Sequence, residues 1–151
     1  MPTKLITAPS AEPITVAEVK QRLGVTHSDL DTDFAAWIVA AREAAEQITG
    51  RALAPQTWEK VLDAFPENEI ALPWPPLTAI TWVKYTDTDG TLQTLADTVY
   101  TLDNDSEPGW LLLAHDQDWP ETQDTANAVR VRYTCGYANA AAVPEIGRAH
   151  V

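Results

Sequence analysis

Apolar positions along this chain recur with two different periods, and the change falls near Pro55. Before it the spacing is helical. Thr15-Val16-Ala17-Glu18 has the form of a capping box, in which the Thr15 hydroxyl accepts from the Glu18 amide while the Glu18 side chain reaches back. Val16, Val19 and Leu23 share one face, and Gly24 predicts the helix end because it enters the left-handed region without steric cost. Ser28, Asp29, Asp31 and Asp33 suit the start of a second helix, where hydroxyls and carboxylates meet the positive end of the dipole. Phe34, Trp37, Ile38, Ala41, Ala45 and Ile48 form its apolar face, with Trp37 expected in the core, and Gly50 ends it. Ala35, Ala36, Ala40 and Ala44 fit either close helix approach or plain helix propensity.

After Pro55 the period becomes two. Thr57 to Phe65 predicts a strand closed by Pro66, and Ile70 to Leu72 a short strand that runs into Pro73-Trp74-Pro75-Pro76. Ile80 to Tyr85 alternates, Asp87-Thr88-Asp89-Gly90 turns the chain, and Leu92 to Leu95 returns. Val99 to Leu102 and Trp110 to Leu113 are further strands. Val129, Val131, Tyr133 and Cys135 alternate with Arg130, Arg132 and Thr134, the clearest half-buried strand, which Gly136 ends. The fold class expected is α+β, an N-terminal helical pair followed by a mostly antiparallel β unit. One domain covers residues 1–151: a flexible polar arm at 1–12, helices over 13–53, a β-rich part over 56–137 and a closing segment over 138–151.

Charge narrows the partners. Of 151 residues, 22 are acidic and 10 are Lys or Arg, a net charge of −12. Residues 1–60 carry a net −2 and residues 61–151 a net −10. Such a surface repels the nucleic-acid backbone, so electrostatic wrapping of DNA or RNA is not expected, although the surface can face DNA without gripping it. Solubility alone is the plainer account of the same charge. Cys135 is the single cysteine, so no intrachain disulfide forms. Met1 to Pro13 lacks a basic start followed by an apolar run, so no secretory signal is expected. No stretch has the apolar length of a membrane span, and no membrane partner is expected.

No catalytic, cofactor-binding or metal residue stands out. Cys135 falls at the inward phase of its strand, which suits a buried structural thiol rather than a nucleophile. His27, His115 and His150 lack metal-ligand spacing. Asp87-Thr88-Asp89-Gly90 lacks the further oxygen ligands of a calcium loop and reads as a hairpin turn. Asp103-Asn104-Asp105 and Asp116-Gln117-Asp118 read as solvated loops, and no substrate groove is implied for paired carboxylates. Six tryptophans are many for this length. Trp58, Trp82 and Trp110 lie on strands, while Trp74 and Trp119 adjoin prolines. They read first as core and clasp residues, and where exposed as contacts to a neighbouring subunit. Leu72 to Leu77 reads as a rigid crossing between strands rather than a polyproline ligand.

An ordered set of segments carries a family resemblance. It begins with Pro13-Ile14-Thr15, Glu18-Val19-Lys20, Leu23, Ala41-Arg42 and Thr49-Gly50-Arg51-Ala52-Leu53. Gln56-Thr57-Trp58, Leu62-Asp63, Phe65-Pro66, Leu72-Pro73, Pro76-Leu77, Tyr85 and Asp87 to Gly90 follow. Tyr100, Trp119-Pro120, Val129 to Tyr133, Gly136-Tyr137 and Val143-Pro144-Glu145 complete it. Over residues 13–145 the chain resembles the head–tail connector (adaptor, head-completion) proteins of tailed bacteriophages. The resemblance implies a structural, non-enzymatic protein of the virion, assembled in the bacterial host cytoplasm and placed at the head–tail junction. It implies a homo-oligomeric ring, commonly of about a dozen copies, that joins the portal protein to the tail or a stopper protein while DNA passes through. It also implies a long helix after Val143-Pro144-Glu145. Ile146 to Val151 lacks that apolar face and matches the translation of a common sequencing-adaptor oligonucleotide. The native C-terminus is therefore expected to be missing, with a genuine short end as the alternative. The acids of residues 61–151 are expected to line the bore. A carbohydrate- or peptide-binding β module is the second reading, motivated by the tryptophans.

Overall fold

The structure, a computed structural model, describes residues 3–144. It has the α+β architecture, with two helices ahead of antiparallel sheets. Helix α1 spans Val16–Leu23. Its Thr15 cap accepts from the Glu18 amide at 3.1 Å, and the Thr15 hydroxyl in turn donates to the Glu18 carboxylate at 3.4 Å. Gly24 at φ 69° closes it, with the Gly24 amide on the Gln21 carbonyl and the Val25 amide on the Lys20 carbonyl, a Schellman end. Helix α2 spans Asp31–Thr49 and ends at Gly50, φ 68°. Its N-cap is Leu30, whose side chain offers no acceptor, and Asp31 in the first turn pairs with Lys20 of α1 at 3.1 Å.

Eight strands follow or flank the helices: β1 Thr3–Thr7, β2 Gln56–Leu62, β3 Ile70–Leu72, β4 Leu77–Thr86, β5 Leu92–Thr94, β6 Tyr100–Asp103, β7 Gly109–Leu113 and β8 Val129–Cys135. They form a five-stranded sheet in the order β1-β2-β8-β4-β5 and a three-stranded sheet in the order β3-β7-β6. Strand β8 is the centre of the larger sheet, antiparallel to β2 on one side and β4 on the other. Its Val129, Val131, Tyr133 and Cys135 are fully buried against Ile70, Leu72 and Leu111 of the smaller sheet. The two layers meet closely at β7, where a Cβ on Gly109 would lie 2.4 Å from Leu77 Cδ2.

Four differences from expectation have physical causes. Thr3–Thr7, read as part of a flexible arm, is an edge strand: β2 would otherwise leave a row of unpaired ladder groups, and Lys4 lands 3.3 Å from Glu59. Strand β2 stops at Leu62 rather than Phe65, because Phe65 turns to stack on Trp119 at 4.8 Å and Asp63 accepts the Asn127 amide. Strand β4 begins at Leu77, ahead of Ile80, and absorbs the extra length in two register shifts. Trp37, expected in the core, is 58% exposed, and Ile48 is 75% exposed. The stripe that α2 buries is Phe34, Ile38, Arg42, Ala45 and Glu46, rotated from the expected apolar face so that Arg42 and Glu46 point inward. The turn at Ala140–Ala142, capped by Asn139, then places Val143 against Ala45 and Leu53 in a small second core. Ile146 to Val151, the segment expected to be foreign, lies outside the described residues.

Gly136 has φ 107°, and a Cβ there would lie 2.1 Å from the Ala54 carbonyl oxygen. Gly136→Ala is expected to destabilise the fold by about 3 kcal/mol through clash and backbone strain. Urea unfolding checks this; an unchanged midpoint would contradict the packing described.

Candidate functional site

The helical pair is tied to the sheets by a buried polar network. Arg42 donates to Glu12 at 2.6 Å and to Glu46 at 2.5 Å. The second Glu46 oxygen accepts from the Leu53 amide at 2.9 Å and the Gln56 side chain at 2.6 Å. Gln56 accepts in turn from the Trp58 indole at 2.8 Å, and Trp58 stacks on Trp74 at 5.0 Å. A second clasp joins Arg51 to Glu107 and to the Tyr137 hydroxyl at 2.7 Å. Between α2 and the β1–β2 edge lies a cleft of about 430 Å³ lined by Leu5, Ala44, Trp58 and Trp74.

The outer face of the larger sheet, turned away from the core, is built by the other phase of the same alternation. Lys4, Glu59, Arg130, Arg132, Trp82 and Lys84 lie there by register. Glu59 is 2% exposed and sits under three cations: Lys4 at 3.3 Å, Arg130 at 3.2 Å and Arg132 at 3.1 Å. Burial alone would raise its pKa, but the hydrogen bonds and charges of Lys4 and Arg132 outweigh it and hold the carboxyl below the usual range. Lys84 and Arg132 flank the Trp82 ring, each 4.7 Å from its centroid. This face thus holds four cations and one carboxylate, three of the cations paired with it.

The opposite charge gathers at one end of that sheet. The loops at residues 63–69, 87–91 and 114–128 hold nine acids and no Lys or Arg. They are held together by the Asn127 amide on Asp63 at 2.9 Å, the Gln123 amide on the Thr86 carbonyl at 3.0 Å and the Trp119 indole on the Asn68 carbonyl at 3.2 Å. A third surface is apolar: Leu30, Trp37 and Ile48 follow one exposed flank of α2.

The residues weighed from sequence fall as follows. Cys135 is buried, and burial with Glu46 nearby pushes its thiol up to about 12, so it stays protonated and unreactive at neutral pH. Asp87 spends one oxygen on the Asp89 and Thr91 amides of the hairpin, at 3.0 and 2.9 Å. Asp103 likewise accepts from the amides of Asp105 and Ser106. Among the described residues no group of three or more His, Cys, Asp or Glu is arranged to hold a metal. His27 and His115 stand apart beside Asp29 and Asp116; His150 lies outside the described residues. Trp58, Trp74 and Trp119 each stack on an aromatic neighbour. No described helix is long and apolar enough to cross a membrane. Sequence reasoning missed the outer-face cluster; the alternation of Arg130 and Arg132 with valines was its one signal.

No protein-family model matches the chain, and no curated protein matches it. Solved structures do. A chain of the neck of an empty gene transfer agent (GTA) particle, computed with C6 symmetry, is 26% identical with a TM-score of 0.76, covering 95% of this chain and 76% of that one. The chain has the fold of a GTA neck chain. A chain of the virion of the native GTA particle gives 24% identity and a TM-score of 0.74 over 95% of this chain and 76% of that one. A chain of the native GTA neck, computed with C12 symmetry, gives 23% and 0.73 over 95% and 75%.

Two outcomes follow from the geometry. Arg42→Met leaves the Glu46 and Glu12 carboxylates without their cation and is expected to cost about 3 kcal/mol, read by chemical denaturation; a cost near zero would remove the network from its structural role. For Glu59, the folded pKa is depressed, so its ionisation contributes stability at neutral pH. That contribution is lost as pH falls below the ordinary Glu value of about 4.3 and through the lower folded one. Unfolding midpoints across this acid range should fall more steeply for the wild type than for Glu59→Gln; parallel curves would contradict the assignment.

Proposed function

We propose that this chain is a structural component of a head–tail junction, forming a homo-oligomeric ring that joins a portal protein to a tail or stopper protein while DNA passes through. The observation that carries the reading is the fold match over 95% of the chain to a neck chain in a particle of C6 symmetry. The connector-like segments between Pro13 and Glu145 support it from a different direction. In this reading residues 1–151 act as one domain, residing in the particle. The work is geometric: one surface of each copy meets a different surface of the next, and the repeated contact closes around an axis. Acids of residues 61–151 that line the bore would let DNA slide without sticking.

The second reading, a sugar- or peptide-binding β module, gains no specific support, since Trp58 and Trp74 spend facing ring surfaces on each other and Trp82 lies between cations.

Native mass spectrometry and electron microscopy of the purified chain, alone and with purified portal rings, test the proposal. Closed rings of one stoichiometry are expected. A chain that stays monomeric in both settings would overturn it, and glycan binding by that monomer would move the second reading forward.

A further inference from the structure

The outer face of the five-stranded sheet is out of keeping with the rest of the molecule. The chain has a net charge of −12, yet this one face gathers four of its ten Lys and Arg residues around a single carboxylate. Glu59 is shared by three cations, and among the described residues Lys84 has no carboxylate partner, only the Trp82 ring. Arg132 Nε has no acceptor among the described residues. The face therefore keeps a net charge of about +3. The nine-acid pole formed by residues 63–69, 87–91 and 114–128 carries the reverse imbalance with no internal cation to relieve it.

The two surfaces do not meet within one molecule. One is the flat of the sheet and the other is the end of β2, β4 and β8, so a copy cannot lay its own acidic loops on its own basic face. A second copy can. We infer that the basic outer face, centred on Trp82, Lys84, Arg130 and Arg132, docks the acidic loop pole of the neighbouring copy. The contact joins two different patches, which is the heterologous type that propagates around an axis. Opposite potentials steer the encounter and reject a face-to-face or pole-to-pole arrangement, where like charges oppose each other. Nucleic acid is the other polyanion that fits a basic face, but it must approach a molecule of net −12, whereas the acidic pole comes built into each copy. This inference rests on the ring reading and names the subunit contact within it.

Reducing the charge of each surface tests it. The face variant combines Lys84→Glu with Arg130→Gln, which spares the Lys4 and Arg132 pairs that hold Glu59. The pole variant combines Glu67→Lys, Asp118→Lys and Glu121→Lys, all exposed. Circular dichroism and thermal unfolding establish that each is folded; a variant that does not fold is replaced by the single change Lys84→Glu or Asp118→Lys. Each variant alone should assemble at least about tenfold less readily than wild type. Wild-type assembly should also weaken with added salt. Rings that form as readily in both variants as in the wild type overturn the contact and leave the ring reading intact. A face variant that assembles normally but loses retention on double-stranded DNA overturns it in favour of nucleic acid. A wild-type chain that stays monomeric with and without portal rings overturns the ring reading, and this contact with it.

Discussion

The position of the helical pair depends on one carboxylate. Helix α2 buries only Phe34, Ile38 and Ala45 as apolar residues, beside the polar Arg42 and Glu46. Glu46 supplies the constraint: it takes Arg42 on one oxygen, and the Leu53 amide and the Gln56 side chain on the other. From Gln56 the chain of contacts runs to Trp58 and on to Trp74 in the proline-rich crossing. A buried ion pair of this kind contributes little net stability, because desolvation offsets most of its attraction. What it contributes is a single orientation, since every donor and acceptor is lost together if the helix turns.

The same network explains why the apolar flank of α2 is open. Turning Arg42 and Glu46 inward rotates Trp37 and Ile48 outward.

Strand β8 organises the rest through its two faces. One face, Val129 to Cys135 in alternate steps, closes the core with no water access. The other presents Arg130 and Arg132 to Glu59 and Trp82. An acidic molecule that gathers four of its ten cations on one sheet face and nine acids at one sheet end has two unlike, complementary surfaces. That asymmetry matches what a repeated contact around an axis requires, and it sits on the fold shared with chains from symmetric particle necks.

The sequence by itself determined several local features. Caps and stops at Thr15, Gly24 and Gly50, the hairpin at Asp87 to Gly90, and the inward phase of β8 were legible, because each depends on residues within a few positions of one another. The α+β class was legible for the same reason, as was the overall resemblance in segment order. Only the tertiary structure decided which face α2 buries, that Thr3–Thr7 joins the sheet edge, and that the strands divide into two sheets. Arg130 and Arg132 were visible as outward residues, but their cluster with Lys4, Glu59, Trp82 and Lys84 joins four strands distant in the chain. Hydrophobic period reports only whether a side chain points in or out. Which outward side chains become neighbours is set by strand order, and strand order is a property of long-range pairing.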